Sequence, residues 1–143
     1  MLVAELGLDL PSRAGVAIDL ARRVGREASI FRENADRAML DVSNKGLQDF
    51  VTIADRHAEE TIRSSILDRF PEDGFMGEET GSTSGVGLWV VDPIDGTTNF
   101  IRGFRHWGVS IAFVAAGEVQ VGVVYDAALD KVYAAIRGGG AFK

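Results

Sequence analysis

The chain has 143 residues, 46% of them hydrophobic and 25% charged, the make-up of one ordinary globular domain rather than of a disordered or fibrous segment. It contains no cysteine, so disulfide frameworks, zinc ribbons, iron–sulfur ligation and thiol nucleophiles are excluded together. With 21 acidic against 15 basic residues the net charge is -6, a poor field for gripping nucleic acid or an anionic membrane surface.

Residues 1–10 carry Glu5 and Asp9 and no basic flank, unlike a signal peptide. The longest apolar run, residues 109–116, falls far short of the ~20 residues a membrane helix needs. These features lead to the expectation of a cytoplasmic protein with no membrane contact. From residue 11 to 36 the apolar positions Ala14, Ala17, Ile18, Ala21, Val24, Ala28, Phe31 and Ala35 follow the spacing of an amphipathic helix. Its other face, Arg13, Asp19, Arg22, Arg23, Arg26 and Arg32, is expected to be solvated or to meet another subunit. A short extended piece at 38–42 and a polar loop at 43–49 should follow. A second helix is predicted from Thr52 as N-cap, with Asp55 three residues on, through Ala54, Ala58, Ile62 and Ile66 until Pro71 stops it.

The period then changes. Residues 74–77 and 88–91 are short apolar runs bounded by turn residues and acids, the pattern of buried strands. Residues 107–115, 119–125 and 131–136 read as three antiparallel strands joined by turns at Gly117-Glu118 and 127–130. Gly138-Gly139-Gly140 is a turn that should end the ordered pattern. Two helices followed by a strand-rich half give an α+β class, with two N-terminal helices packed on a largely antiparallel sheet.

Carboxylates cluster where these elements begin or end: Asp55 at the helix start, Glu78-Glu79 after one strand, Asp92 and Asp95 after another. Acids at the mouths of buried strands are costly unless something positive binds there, and oxygen donors without His or Cys select hard cations such as Mg²⁺. In Asp92-Pro93-Ile94-Asp95-Gly96-Thr97-Thr98, Pro93 fixes the backbone between two acids, so that both carboxylates and an intervening carbonyl can converge on one ion. Gly96 lets the main chain pass close to a ligand, and the amides of Gly96 and Thr97 open a short helix that suits a phosphate oxygen. Asp-Pro and Asp-Gly pairs usually mark simple turns; the buried run before this one and the acids after its neighbour favour the site.

Trp89-Val90-Val91-Asp92-Pro93-Ile94-Asp95-Gly96-Thr97-Thr98-Asn99-Phe100 resembles the signature of the inositol monophosphatase family of Mg²⁺-dependent, lithium-sensitive phosphatases, including its SuhB-like bacterial members. Gly77-Glu78-Glu79 is similar to the family's upstream acidic motif, and Asp49-Phe50-Val51-Thr52-Ile53-Ala54-Asp55 to its helix-opening motif. The return strands around Val109-Ser110-Ile111-Ala112 and Gly122-Val123-Val124-Tyr125, and the tail Arg137-Gly138-Gly139-Gly140-Ala141-Phe142, are similar as well.

The resemblance implies that Glu78, Asp92 and the Ile94 carbonyl bind one Mg²⁺, that Asp92 and Asp95 bind a second, and that two or three ions act in all, with Li⁺ as inhibitor. It implies that Glu78 and Thr97 activate the attacking water, that Asp55 hydrogen-bonds near Thr97, and that Glu78, Ile94, Asp95, Gly96 and Thr97 contact substrate. The substrate would be a small phosphate monoester, myo-inositol monophosphate or a related sugar or polyol phosphate. The alternatives are histidinol phosphate, fructose 1,6-bisphosphate, a nucleotide phosphate, or a SuhB-like interaction role without catalysis. A homodimer is implied, and direct nucleic-acid binding is not. Glu79 is expected to act as local charge. Lys45 is either a lid residue or a surface lysine, His57 exposed or packed, and His106 and Trp107 part of a strand entry. The family's module is longer than 143 residues, so residues 1–143 read as the N-terminal metal-binding part of a layered α-β-α-β-α fold, with a further Asp of the second metal site carried by the family's C-terminal domain.

Overall fold

The computed structural model describes residues 3–35 and 44–143. A single 3-10 turn at Val3–Leu6 leads into helix α1 (Leu10–Glu33), whose N-cap Asp9 accepts the Ser12 amide and which carries Pro11 in its first turn. Helix α2 (Asn44–Arg69) follows, then β1 (Gly74–Gly77), β2 (Gly81–Thr83), β3 (Leu88–Asp95), the short helix α3 (Thr97–Arg102), β4 (Gly108–Ala115), β5 (Glu118–Asp126), β6 (Lys131–Ile136) and β7 (Gly140–Phe142). The strands form one sheet in the order β2-β1-β3-β4-β5-β6-β7. Neighbours are antiparallel except β1 and β3, which run parallel.

The α+β expectation holds, and the physical reason is the change of period. In β4 every second residue, Val109, Ile111, Phe113 and Ala115, is buried, and these side chains meet the apolar stripes of α1 and α2 on one face of the sheet. α1 lies across β4, β5 and β6, and α2 across β1 and β3. A row of rings joins the layers: Phe31 stacks on Phe50, Phe50 on Phe100, and Trp107 meets Phe100 edge-on. Burial of Phe50 and Phe100 contributes about 1.5–3 kcal/mol each, while Phe31 is part-exposed at the end of the row. Gly25 sits in α1 where any Cβ would overlap the Tyr125 ring, so the helix approaches β5 as closely as it does only because the residue is glycine.

Four details differ from the sequence reading. α2 starts at Asn44, not Thr52: the Thr52 hydroxyl donates to the Gln48 carbonyl four residues back, inside the helix, and Phe50 and Val51 already belong to its buried stripe. Asp55 therefore stands in the body of the helix rather than in its first turn. Arg13 is not on a solvated face. It is buried, its guanidinium forms two bonds of 2.9 and 2.8 Å with the carboxylate of buried Asp73, and it lies over the Phe70 and Phe113 rings. Trp89 Nε1 donates to the same carboxylate at 2.8 Å, so the demand of a buried ion pair for partners is met locally. The glycines at 138–140 do not end the order, because Gly140 opens β7, which pairs with β6. The hairpin between β4 and β5 turns on Ala116-Gly117, with φ of 52° and 74°, rather than on Gly117-Glu118, as a two-residue turn with two positive φ values requires. The extended piece at 38–42 lies outside the described residues, as does the side chain of Lys45.

Candidate functional site

Because β1 and β3 are parallel neighbours, their C-terminal ends emerge side by side. The turn after β1 carries Glu78 and Glu79, the end of β3 carries Asp92 and Asp95, and Asp55 approaches from α2. Asp92 and Asp95 are three apart, and in a regular strand such residues face opposite ways. The pairing corrects this: Asp92 is opposite Ser110 while Asp95 is opposite Gly108, so β3 spends three steps where β4 spends two. This bulge buries Pro93 and Ile94 in succession and returns Asp95 to the side of Asp92.

At Gly96 the chain has φ of 95°, a conformation that favours glycine, and α3 begins at Thr97. The Thr97 hydroxyl donates to the Ile94 carbonyl at 3.3 Å, which brings together two groups singled out in the sequence. Arg32 at the end of α1 donates to the carbonyls of Phe100 and Ile101, both at 2.9 Å, and so holds the far end of α3 through carbonyls of its last turn. The Asn99 amide fastens the same segment to the His106 carbonyl at 2.7 Å.

Two of the site's carboxyls lie above the usual carboxylate range. Burial pushes the Asp55 carboxyl up from 3.8 to about 7, and the neighbouring Asp92, Glu78, Glu79 and Glu59 push the same way. Asp92 is likewise raised by burial, then by Asp95 and Glu78, against a hydrogen bond from the Ile94 backbone. Asp55 Oδ1 is buried without a hydrogen-bond partner. Such an oxygen among like charges is costly unless a cation takes it. Among the described residues no three His, Asp or Glu side chains stand together as a metal cage. The donor set, all oxygen and strongly anionic, fits a hard divalent cation.

The other residues singled out in the sequence fall to the periphery. Glu79 meets Arg56 at 3.7 Å in a half-exposed pair. His57 is exposed and lines an apolar groove between α1 and α2. His106, also exposed, borders a cavity of about 550 Å³ together with Asp95, Gly96, Asp126 and Tyr133, while Trp107 is buried. One residue escapes the sequence reading: Glu59, fully buried, whose Oε2 accepts the Glu79 and Thr80 amides at 2.9 and 2.6 Å. The signal is present in its spacing, one helical turn after Asp55.

Helices on one face of this sheet, with Asp55, Glu78, Asp92 and Asp95 placed near the ends of its parallel strands, define an α+β chain with an acidic, oxygen-only cluster. The inositol monophosphatase family matches residues 9–143. An inositol-1-monophosphatase of Rhizobium meliloti is 44% identical over 117 residues, covering 80% of this chain and 44% of its own length. A Nus factor SuhB of Vibrio cholerae is 40% identical over 129 residues, covering 88% of this chain and 48% of its own. The crystal structure of the SuhB protein of Bartonella henselae superposes with a TM-score of 0.77 at 32% identity, over 92% of this chain and 50% of that one. A histidinol-phosphatase of Chlorobaculum parvum and a fructose-1,6-bisphosphatase/inositol-1-monophosphatase of Thermotoga maritima are 43% and 40% identical. The chain belongs to the inositol monophosphatase family, and it spans about half the length of the curated relatives it matches.

Proposed function

We propose that this chain carries the cation-binding acids of a Mg²⁺-dependent phosphomonoesterase acting on myo-inositol monophosphate or a related sugar or polyol phosphate. The observation that carries the reading is the buried, unpartnered Asp55 oxygen amid Asp92, Glu78, Glu79 and Glu59, on segments that lie within the family match. Glu78, Asp92, Asp95 and the Ile94 carbonyl would hold the metal, two or three ions in all. Bound Mg²⁺ supplies the positive charge that lets a phosphate approach this acidic cluster, acidifies an attacking water and stabilises the leaving oxygen.

The protein's own groups do the rest. Glu78 and the Thr97 hydroxyl would orient the attacking water, and Asp55, whose Oδ1 lacks a partner, would accept a hydrogen bond beside Thr97. Gly96 and Thr97, at the sharp turn after Asp95, contact the phosphate, while the Ile94 carbonyl and Thr97 hold one another in register at 3.3 Å. Residues 1–143 act in this reading as the N-terminal metal-binding domain, in a cytoplasmic homodimer inhibited by Li⁺. Among the described residues no helix is long and apolar enough to cross a membrane.

A second reading is favoured by the relatives named Nus factor SuhB: an interaction protein whose phosphatase chemistry is incidental. Phosphate release from inositol 1-phosphate, histidinol phosphate and fructose 1,6-bisphosphate, with Mg²⁺ and with chelator, tests the first reading. Release that requires Mg²⁺ and is blocked by Li⁺ supports it; no release from any of the three refutes it. Asp95→Asn separates the two readings, since a cellular phenotype that survives loss of activity favours the interaction protein.

A further inference from the structure

Among the described residues of α2, Glu59 is the one fully buried acid, and it makes no ion pair with any of them. A buried carboxylate needs compensation, and this one takes it from the main chain: Oε2 accepts the Glu79 N–H at 2.9 Å and the Thr80 N–H at 2.6 Å, both charge-assisted. On the other side of Glu78, a Cβ on Gly77 would collide with the Glu59 carboxyl group. The carboxylate therefore presses against the backbone before Glu78 and binds the two amides after it. Four consecutive residues of the turn, 77–80, are indexed to a single side chain on α2, the helix that also bears Asp55.

We infer that Glu59 is a positioning residue for the cation site: it fixes the backbone on both sides of Glu78 and so sets where the Glu78 carboxylate stands relative to Asp55 and Asp92. The inference rests on the reading of Glu78 as a metal ligand. Its second oxygen, Oε1, is buried without a hydrogen-bond partner, so Glu59 also adds negative charge felt at Asp55 and Asp92. Position and charge are separable. Gln keeps the reach of the side chain and an oxygen that accepts both amides but removes the charge; Asp keeps the charge but is one methylene too short to reach them.

The test is Mg²⁺ affinity by calorimetry in the absence of substrate, for the wild type and for Glu59→Gln, Glu59→Asp and Glu59→Ala, with thermal unfolding in chelator recorded alongside. A partner that orients a ligand typically governs about 10–100-fold in metal affinity. Glu59→Ala and Glu59→Asp should weaken Mg²⁺ binding by that factor, and Glu59→Gln should recover most of it. In activity assays the Ala and Asp variants should need correspondingly more Mg²⁺ for half-activation while KM for the phosphate ester at saturating Mg²⁺ stays unchanged. If the Asp variant binds Mg²⁺ as the wild type does and Gln is the weak one, charge and not position is the role, and the inference is overturned. It is equally overturned if all variants lose thermal stability yet keep wild-type Mg²⁺ affinity. Should Glu59→Ala fail to fold, the Gln and Asp pair decides alone. A protein that binds Mg²⁺ but hydrolyses no phosphomonoester defeats the functional reading, while the affinity series still judges Glu59.

Discussion

Replacing Asp55 by Asn should stabilise the metal-free protein and harm its metal-bound function, a pair of opposite effects that follows from one carboxylate. An unfolded Asp titrates near 3.9, whereas Asp55 in the folded chain titrates at about 7. Between about pH 4 and 7 the native state holds a proton that the unfolded state has released, so stability falls as pH rises through that window and stays reduced above it. Taken at about 1.36 kcal/mol per pH unit, the full displacement would amount to ~4 kcal/mol. Asp55 is only half-buried, and solvent screening reduces this to about 1–2 kcal/mol. In chelator at pH 8, Asp55→Asn should therefore unfold at a Tm about 3–8 °C above the wild type, converging with it below pH 4. Mg²⁺ should reverse the order, because a ligand at 100 times its Kd adds about 2.7 kcal/mol to whichever protein binds it fully. The assay is thermal unfolding by circular dichroism from pH 4 to 8, with and without Mg²⁺. An Asn variant less stable than the wild type at pH 8 in chelator would refute the reasoning, since the carboxylate would then be satisfied inside the fold.

Other expectations concern the framework. Asp73→Ala leaves Arg13 buried without its counter-ion and Trp89 Nε1 without its acceptor, and should cost about 3–5 kcal/mol in urea unfolding; a loss under about 1 kcal/mol would contradict the burial. Gly25→Ala gains helix propensity worth about 0.5–1 kcal/mol, yet its methyl would overlap the Tyr125 ring, so the net change should be a destabilisation of about 1–3 kcal/mol. Arg32→Met removes the bonds to the Phe100 and Ile101 carbonyls; it should speed amide exchange in α3 and lower activity without changing exchange in β4 and β5.

The sequence is most informative where period and chemistry agree. The alternation in residues 109–115 and the stripe through Ala54, Ala58, Ile62 and Ile66 follow directly from the sheet face and helix face they bury. It is least informative where one side chain has two local options. Thr52 is a good cap on paper, but the apolar residues before it extend the buried stripe, so tertiary packing carries the helix past it and its hydroxyl bonds backwards. Arg13 lies with other arginines in the sequence, and only its meeting with Asp73, sixty residues away, makes it interior. Asp92 and Asp95 are legible as a pair, but the step that turns them to one side depends on the register of β3 against β4, which no local pattern announces. Glu59 is easily passed over because a glutamate one turn along a helix looks like surface until the turn after β1 closes over it.

The central claim is that acids from α2, from the turn after β1 and from the end of β3 form one divalent-cation site with Asp92 in its midst. Calorimetric titration of Mg²⁺ into the chelator-treated protein and into Asp92→Asn tests it most directly. Saturable binding to the wild type that is lost in Asp92→Asn, with the variant still cooperatively folded, is the result expected; equal binding to both proteins, or none to the wild type, would contradict the account.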